Sequence, residues 1–148
     1  MTYLLDTNVV SEVRKPQADP HVRAWFASVA SDSLYLSVLT VGEIRRGVER
    51  LRRRDPAQAA IFETWLARLR REYADRLLPV TAEIAEEWGR LNVPDPIPTI
   101  DGLLAATARV RGLVLVTRNT ADLVRTGVRV LDPFAPPGSG EATDQAGG

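Results

Sequence analysis

Four acids stand out by their positions. Asp6 follows the apolar run Tyr3–Leu4–Leu5 and is itself followed by a hydroxyl and an amide, Thr7 and Asn8. Glu43 lies just beyond the apolar run Leu34–Val38, Asp101 opens an amphipathic stretch, and Asp122 follows the run Leu113–Val116 with Asn119 in between. An acid at the mouth of a buried strand is costly unless it is paired, hydrogen-bonded or bound to a metal. Carboxylates brought together repel, and some stay protonated unless a cation neutralises them. A hard divalent ion with oxygen ligands and retained waters meets that need. With no cysteine and a single histidine, His21, the ligand set favours Mg²⁺ or Mn²⁺. Such a cluster suits phosphodiester hydrolysis, in which metal ions activate a water and stabilise the charge developing on the phosphate.

Each acid also has a plainer reading. Asp6–Thr7–Asn8 is turn chemistry, with Asp6 or Thr7 capping the next helix. Thr40–Val41–Gly42–Glu43 has the form of a capping box, with Thr40 as N-cap and Glu43 as its reciprocal half. Asp101 is a first-turn acid favoured by the helix dipole. Asp122 is a surface residue and Asn119 a cap or turn residue. These readings explain each site separately. They do not explain why all the sites follow a strand or open a helix.

The elements that must position these acids follow from hydrophobic spacing. Strands are expected at Thr2–Leu5, Leu34–Val38, Leu77–Val80, Leu113–Val116 and Val128–Leu131, and helices at Asn8–Arg14 and Pro20–Ala30. Val41, Ile44, Val48 and Leu51 form one apolar stripe of a helix that carries Glu43 in its first turn. Asp55–Pro56 restarts a helix with Ile61, Trp65, Leu69 and Tyr73 at four-residue spacing, a stripe for the core or a subunit interface. Thr81 caps a helix through Leu91, three prolines make Val93–Thr99 a loop, and Thr99 caps a helix over Ile100–Arg111 that Gly112 ends. A short helix is expected over Thr120–Arg125. Strands alternating with helices predict an α/β sandwich round a parallel sheet. In such a sheet ligands bind beyond the carboxyl ends of the strands, where all four acids fall.

A length of 148 residues, 45% apolar and 26% charged, fits one domain of ordinary globular composition. The formal net charge is zero, so any electrostatic function rests on uneven distribution. Lys15 is the only lysine; arginine carries the rest of the positive charge. The absence of cysteine excludes disulfides and thiolate metal sites, and the lone His21 makes a histidine triad an unsuitable reading. No membrane-spanning run or secretion signal is present, and a cytoplasmic location is expected. The Pro-, Gly-, Ser- and Ala-rich end, residues 135–148, is expected to be a disordered tail.

Five segments in order, LLDTNVVSE, TVGEIRRGV, IDGLLAATA, LVLVTRNTADL and GVRVLDPF, resemble PIN-domain ribonucleases. The likeness is greatest to VapC toxins of bacterial toxin–antitoxin pairs, in the subgroup similar to FitB, and runs from about Tyr3 to Phe134. The resemblance implies a PIN-like three-layer sandwich over residues 1–134, with about five parallel strands flanked by helices. It implies Mg²⁺- or Mn²⁺-dependent endonuclease action on RNA. The family's catalytic acids carry over to Asp6, Glu43 and Asp101. The fourth maps to Asp122 within a Thr117–Asn119–Asp122 pattern in which Leu123 stands where Phe is usual. Asp6 and Asp101 would hold the main metal, with Glu43 and Asp122 completing the shell or orienting the attacking water. Thr7 would hold a water or orient a carboxylate, and Thr117 and Asn119 would support. The family also implies a cognate antitoxin that blocks the cleft, and a homodimer with Trp65, Leu66, Leu69 and Tyr73 as candidate interface residues.

Arg46, Arg50 and Arg118 are candidates for RNA contact, since an acidic cleft repels RNA unless basic residues surround it. The plainer alternative is a solvated, salt-bridged helix face, for example Glu43 to Arg46 or Glu49 to Arg53. Two rivals come from other classes. A haloacid-dehalogenase-type phosphatase needs a second Asp where Asn8 stands. A non-catalytic RNA-binding or interaction module of the same fold would leave the acids idle.

Overall fold

The computed structural model describes residues 1–136. Five short strands of two to four residues, apolar apart from the Ser37 that ends β2, make up the sheet: β1 (Tyr3–Leu5), β2 (Leu34–Ser37), β3 (Leu77–Leu78), β4 (Val114–Val116) and β5 (Val130–Leu131). All pair in parallel, in the order β3-β2-β1-β4-β5, with Leu4 beside both Tyr35 and Leu115. Six helices fill the connections: α1 (Thr7–Val13), α2 (Pro20–Ser28), α3 (Val38–Arg52), α4 (Pro56–Glu72), α5 (Ala82–Leu91) and α6 (Thr99–Arg111). Alternation along the strands divides the core in two. Leu5, Leu36, Val114 and Val116 pack with α1, α3 and α4 through Val9, Ile44, Val48 and Leu66. Leu4, Leu115 and Val130 face the other way, onto Leu104, Ala105 and Ala108 of α6. The expected three-layer α/β sandwich is the observed one.

Several boundaries differ from expectation, for local reasons. Helix α3 begins at Val38, because the Ser37 hydroxyl ends β2 and accepts the Leu39 amide at 3.0 Å with no loop between. Thr40 is therefore not an N-cap but a fully buried residue of the first turn, and Glu43 lies in the second turn. Helix α6 begins at Thr99, with Pro98 at the cap position and no side-chain cap. The expected helix over 120–125 is a turn followed by a 3₁₀ segment at Val124–Thr126.

On α4 the stripe of four-residue spacing rotates away from the core, since 3.6 residues make a turn. Leu66 and Leu69 are buried, whereas Ile61 is 62% exposed. Leu66 and Leu69 thus belong to the core, with Trp65 and Tyr73 half-buried against it. Gly112, at φ 69°, ends α6 in the left-handed region as expected. The tail expected over 135–148 lies, from residue 137 on, outside the described residues. Among the described residues no helix is long and apolar enough to cross a membrane.

Candidate active site

Strand order places β1 at the centre, with β2 on one side and β4 on the other. Between β1 and β4 the winding of the chain reverses, and at such a switch point two strand ends leave a crevice. Asp6 and Thr117 stand at these two ends. The Thr117 hydroxyl donates to Asp6 Oδ2 at 2.7 Å, closing the crevice floor. The Asp6 amide continues the ladder onto the Val116 carbonyl at 2.9 Å. Asp6 also caps α1, accepting the Thr7 amide at 2.6 Å, and accepts from Asn8 Nδ2 at 3.1 Å. The plain and the chemical readings of Asp6 are both true: one carboxylate caps a helix and lies 6% exposed at a switch point.

From Asp6 a network of neutral groups reaches two more acids. The Thr7 hydroxyl donates to Glu43 Oε1 at 2.5 Å and lies 3.2 Å from the buried Thr40 hydroxyl. On the other side, the Asn119 amide donates to Thr117 Oγ1 at 3.1 Å, and its side-chain Nδ2 donates to Asp101 Oδ2 at 3.0 Å. Asp101 lies in the first turn of α6. Thus Asp6, Glu43 and Asp101 come from three elements and are tied together by Thr7, Thr117 and Asn119. Asp122 is not drawn into this network: it is exposed, with no hydrogen bond or ion pair among the described residues. No histidine takes part.

The electrostatics follow from this arrangement. Burial pushes the Asp6 carboxyl above its ordinary value, the Thr117 and Thr7 bonds pull it back, and the charges of Asp101 and Glu43 push it up again. A cation at these acids would relieve that strain, and the donors are all hard oxygens, so the residues fit Mg²⁺ or Mn²⁺. Among the described residues no three Asp, Glu, His or Cys side chains stand close enough to hold an ion unaided.

The sequence reading gives Thr40 only a capping role, and gives Gly102 none. Thr40 was hidden by its resemblance to a cap. A Cβ on Gly102 would lie 3.1 Å from Trp88 Cδ1, so glycine beside Asp101 lets α5 close tightly on the start of α6. The placement of a glycine directly after the acid was the available signal. Beside the acids a groove of about 330 Å³ runs from Thr7 and Glu43 past Gly47 to Phe62 and Trp65. The Arg14 guanidinium stands over the Phe62 ring there, 4.1 Å from its centroid.

Residues 3–128 match the PIN domain family model. Toxin FitB of Neisseria gonorrhoeae is 32% identical over 136 residues, covering 88% of this chain and 97% of that protein. VapC ribonuclease Y4jK of Sinorhizobium fredii is 32% identical over 141 residues, covering 90% and 98%. The crystal structure of FitAcB from Neisseria gonorrhoeae superposes with a TM-score of 0.84 at 31% identity, covering 91% of this chain and 100% of that one. A switch-point acid cluster on a β3-β2-β1-β4-β5 sheet and likeness along nearly the whole chain agree, and the protein belongs to the PIN-domain family, in the branch that holds the FitB and VapC toxins.

Proposed function

We propose that this chain is an endoribonuclease toxin that hydrolyses RNA at Asp6, Glu43 and Asp101 with Mg²⁺ or Mn²⁺. The observation that carries the reading is the Thr117–Asp6 hydrogen bond across the switch point, which holds a buried acid between two others. Relatives along nearly the whole chain are called a toxin and a ribonuclease, which supports the same reading. When bound, a hard divalent cation supplies the charge that keeps the carboxylates ionised together and offsets charge developing on the phosphate. Asp6 and Asp101 would hold that cation, and Glu43, oriented by Thr7, would accept a proton from the attacking water at Oε2. Thr117 and Asn119 hold Asp6 and Asp101 in place. Water attack gives a 5′-phosphate and a 3′-hydroxyl.

A cognate antitoxin is proposed as the partner, its chain occupying the groove beside Thr7 and Glu43 and so denying RNA the acids. The homodimer is also carried as a proposal, with Leu66 and Leu69 already used by the core. The test is cleavage of structured RNA with Mg²⁺ or Mn²⁺, stopped by chelator and by Asp6→Asn. Cleavage by Asp6→Asn at the wild-type rate sinks the reading; RNA binding without cleavage by the wild type favours the non-catalytic module.

A further inference from the structure

The arginines of α3 and of its C-cap, Arg53, are divided in two. Arg45 and Arg52 are taken up by acids: both reach Glu49 on α3 and Glu63 on α4. Arg46, Arg50 and Arg53 are exposed and form no ion pair among the described residues. The pairs expected from sequence, Glu43 with Arg46 and Glu49 with Arg53, do not form. Arg46 stands three residues from Glu43, a spacing at which helix ion pairs are made. Glu43 turns to the Thr7 hydroxyl instead. At about 100° per residue, Glu43 and the three unpaired arginines share one side of α3, and the crest they form extends roughly 15 Å from the acid.

A second arginine lies on the far flank. Arg118 follows Thr117 at the end of β4, on the opposite side of β1 from β2 and α3. Its guanidinium sits over the Phe134 ring, 3.6 Å from the centroid. Phe134 packs on the core, and its amide is held by Asp132 Oδ1 at 2.9 Å. Arg118 is thus presented on a fixed platform, close enough to Glu12 to lower that carboxyl's pKa but in no ion pair with it, so its guanidinium edge can donate to a phosphate.

We propose that a single RNA strand crosses the carboxyl edge of the sheet between these two arginine sets. Arg46 and Arg50 take phosphates on one side of the broken bond, and Arg118 takes a phosphate on the other. This path rests on the ribonuclease reading above. The acid cluster repels phosphate, so attraction must come from its flanks, and Arg46, Arg50 and Arg118 lie there with no ion pair among the described residues. A strand held on both sides is cut within its length. Phe134 is a positioning residue that acts through Arg118.

The test uses the full chain carrying Asp6→Asn, with affinity for a short fluorescent single-stranded RNA measured across a KCl series. Each phosphate contact on a single strand contributes about 0.7 to the slope of log affinity against log salt. Arg46→Ala with Arg50→Ala is expected to reduce the slope by about 1.4, Arg118→Ala by about 0.7, and the triple variant by about 2.1. Arg45→Gln, whose partner is an acid, leaves it unchanged. Shortening the RNA from one end should abolish the Arg46/Arg50 effect alone, and shortening it from the other end the Arg118 effect alone. Phe134→Leu should reduce the slope as Arg118→Ala does, and add nothing when the two are combined. Unchanged slopes, or loss of both effects on the same truncation, overturn the path. An additive Phe134→Leu effect overturns its positioning role. Reduced slopes without wild-type cleavage support the path and remove the hydrolase reading; cleavage with unchanged slopes does the reverse.

Discussion

Two charge clusters in this molecule are built on opposite terms. On the outer surface of α3 and α4, Arg45 and Arg52 meet Glu49 and Glu63, and every charge has a partner. At the switch point, Asp6, Glu43 and Asp101 meet hydroxyls and amides, and among the described residues no cationic side chain pairs with them. The outer cluster is exposed, so its electrostatics are screened and its pairing contributes little. The inner one is buried enough to raise the Asp6 carboxyl above its ordinary range. Completed pairing marks a surface that needs nothing more. Carboxylates held together by neutral donors mark a place kept for a charge from outside the chain.

The largest effect should come from Asp6→Asn. Its cleavage rate should fall by more than the roughly 10–100-fold typical of residues one shell out from a metal, while circular dichroism shows an intact fold. Thr117→Val removes the hydroxyl across the switch point; the expected loss is about 10–100-fold in metal affinity or rate. A Mg²⁺ titration of activity separates this from a folding defect, because added Mg²⁺ should recover much of the rate. An unresponsive variant would show that Thr117 serves the fold alone.

The third effect is a pH dependence of stability. Asp6 ionises less readily in the folded chain than its ordinary value of 3.8. Its contribution to stability is therefore full below that value and is lost as pH rises through the raised folded value. In chelator, thermal melts should show this loss for wild type but not for Asp6→Asn. Mg²⁺ should raise the wild-type melting temperature at neutral pH. The smallest effect belongs to the outer cluster. Glu63→Gln should leave both cleavage and melting temperature nearly unchanged. A large loss of cleavage would break the contrast between the two clusters.

Much of this was legible in the sequence. The strand-to-acid junction at Asp6, the Asp55–Pro56 restart, the Thr81 cap and the Gly112 stop are local signals, and each stands where its residues put it. The start of α3 was misleading, because a Thr-x-x-Glu pattern beginning at Thr40 looks the same whether or not an earlier serine has already capped the helix. The α4 stripe was overread, since a spacing of four drifts round a helix whose period is 3.6.

The acids, their places after strands and in helices, and the alternation that buries the sheet are all written into the order of residues. Those are properties of neighbours in the chain, where propensity, periodicity and capping act. Which acids meet depends on how the strands are ordered and packed. Asp6 and Thr117 lie 111 residues apart in sequence and 2.7 Å apart in space, because the strand order sets β1 beside β4. The same packing separated Asp122 from the network and divided the arginines of α3 into paired and unpaired sets. Hydrogen bonds and ion pairs depend on distances of a few ångströms, and spacing along the chain does not encode those distances between elements.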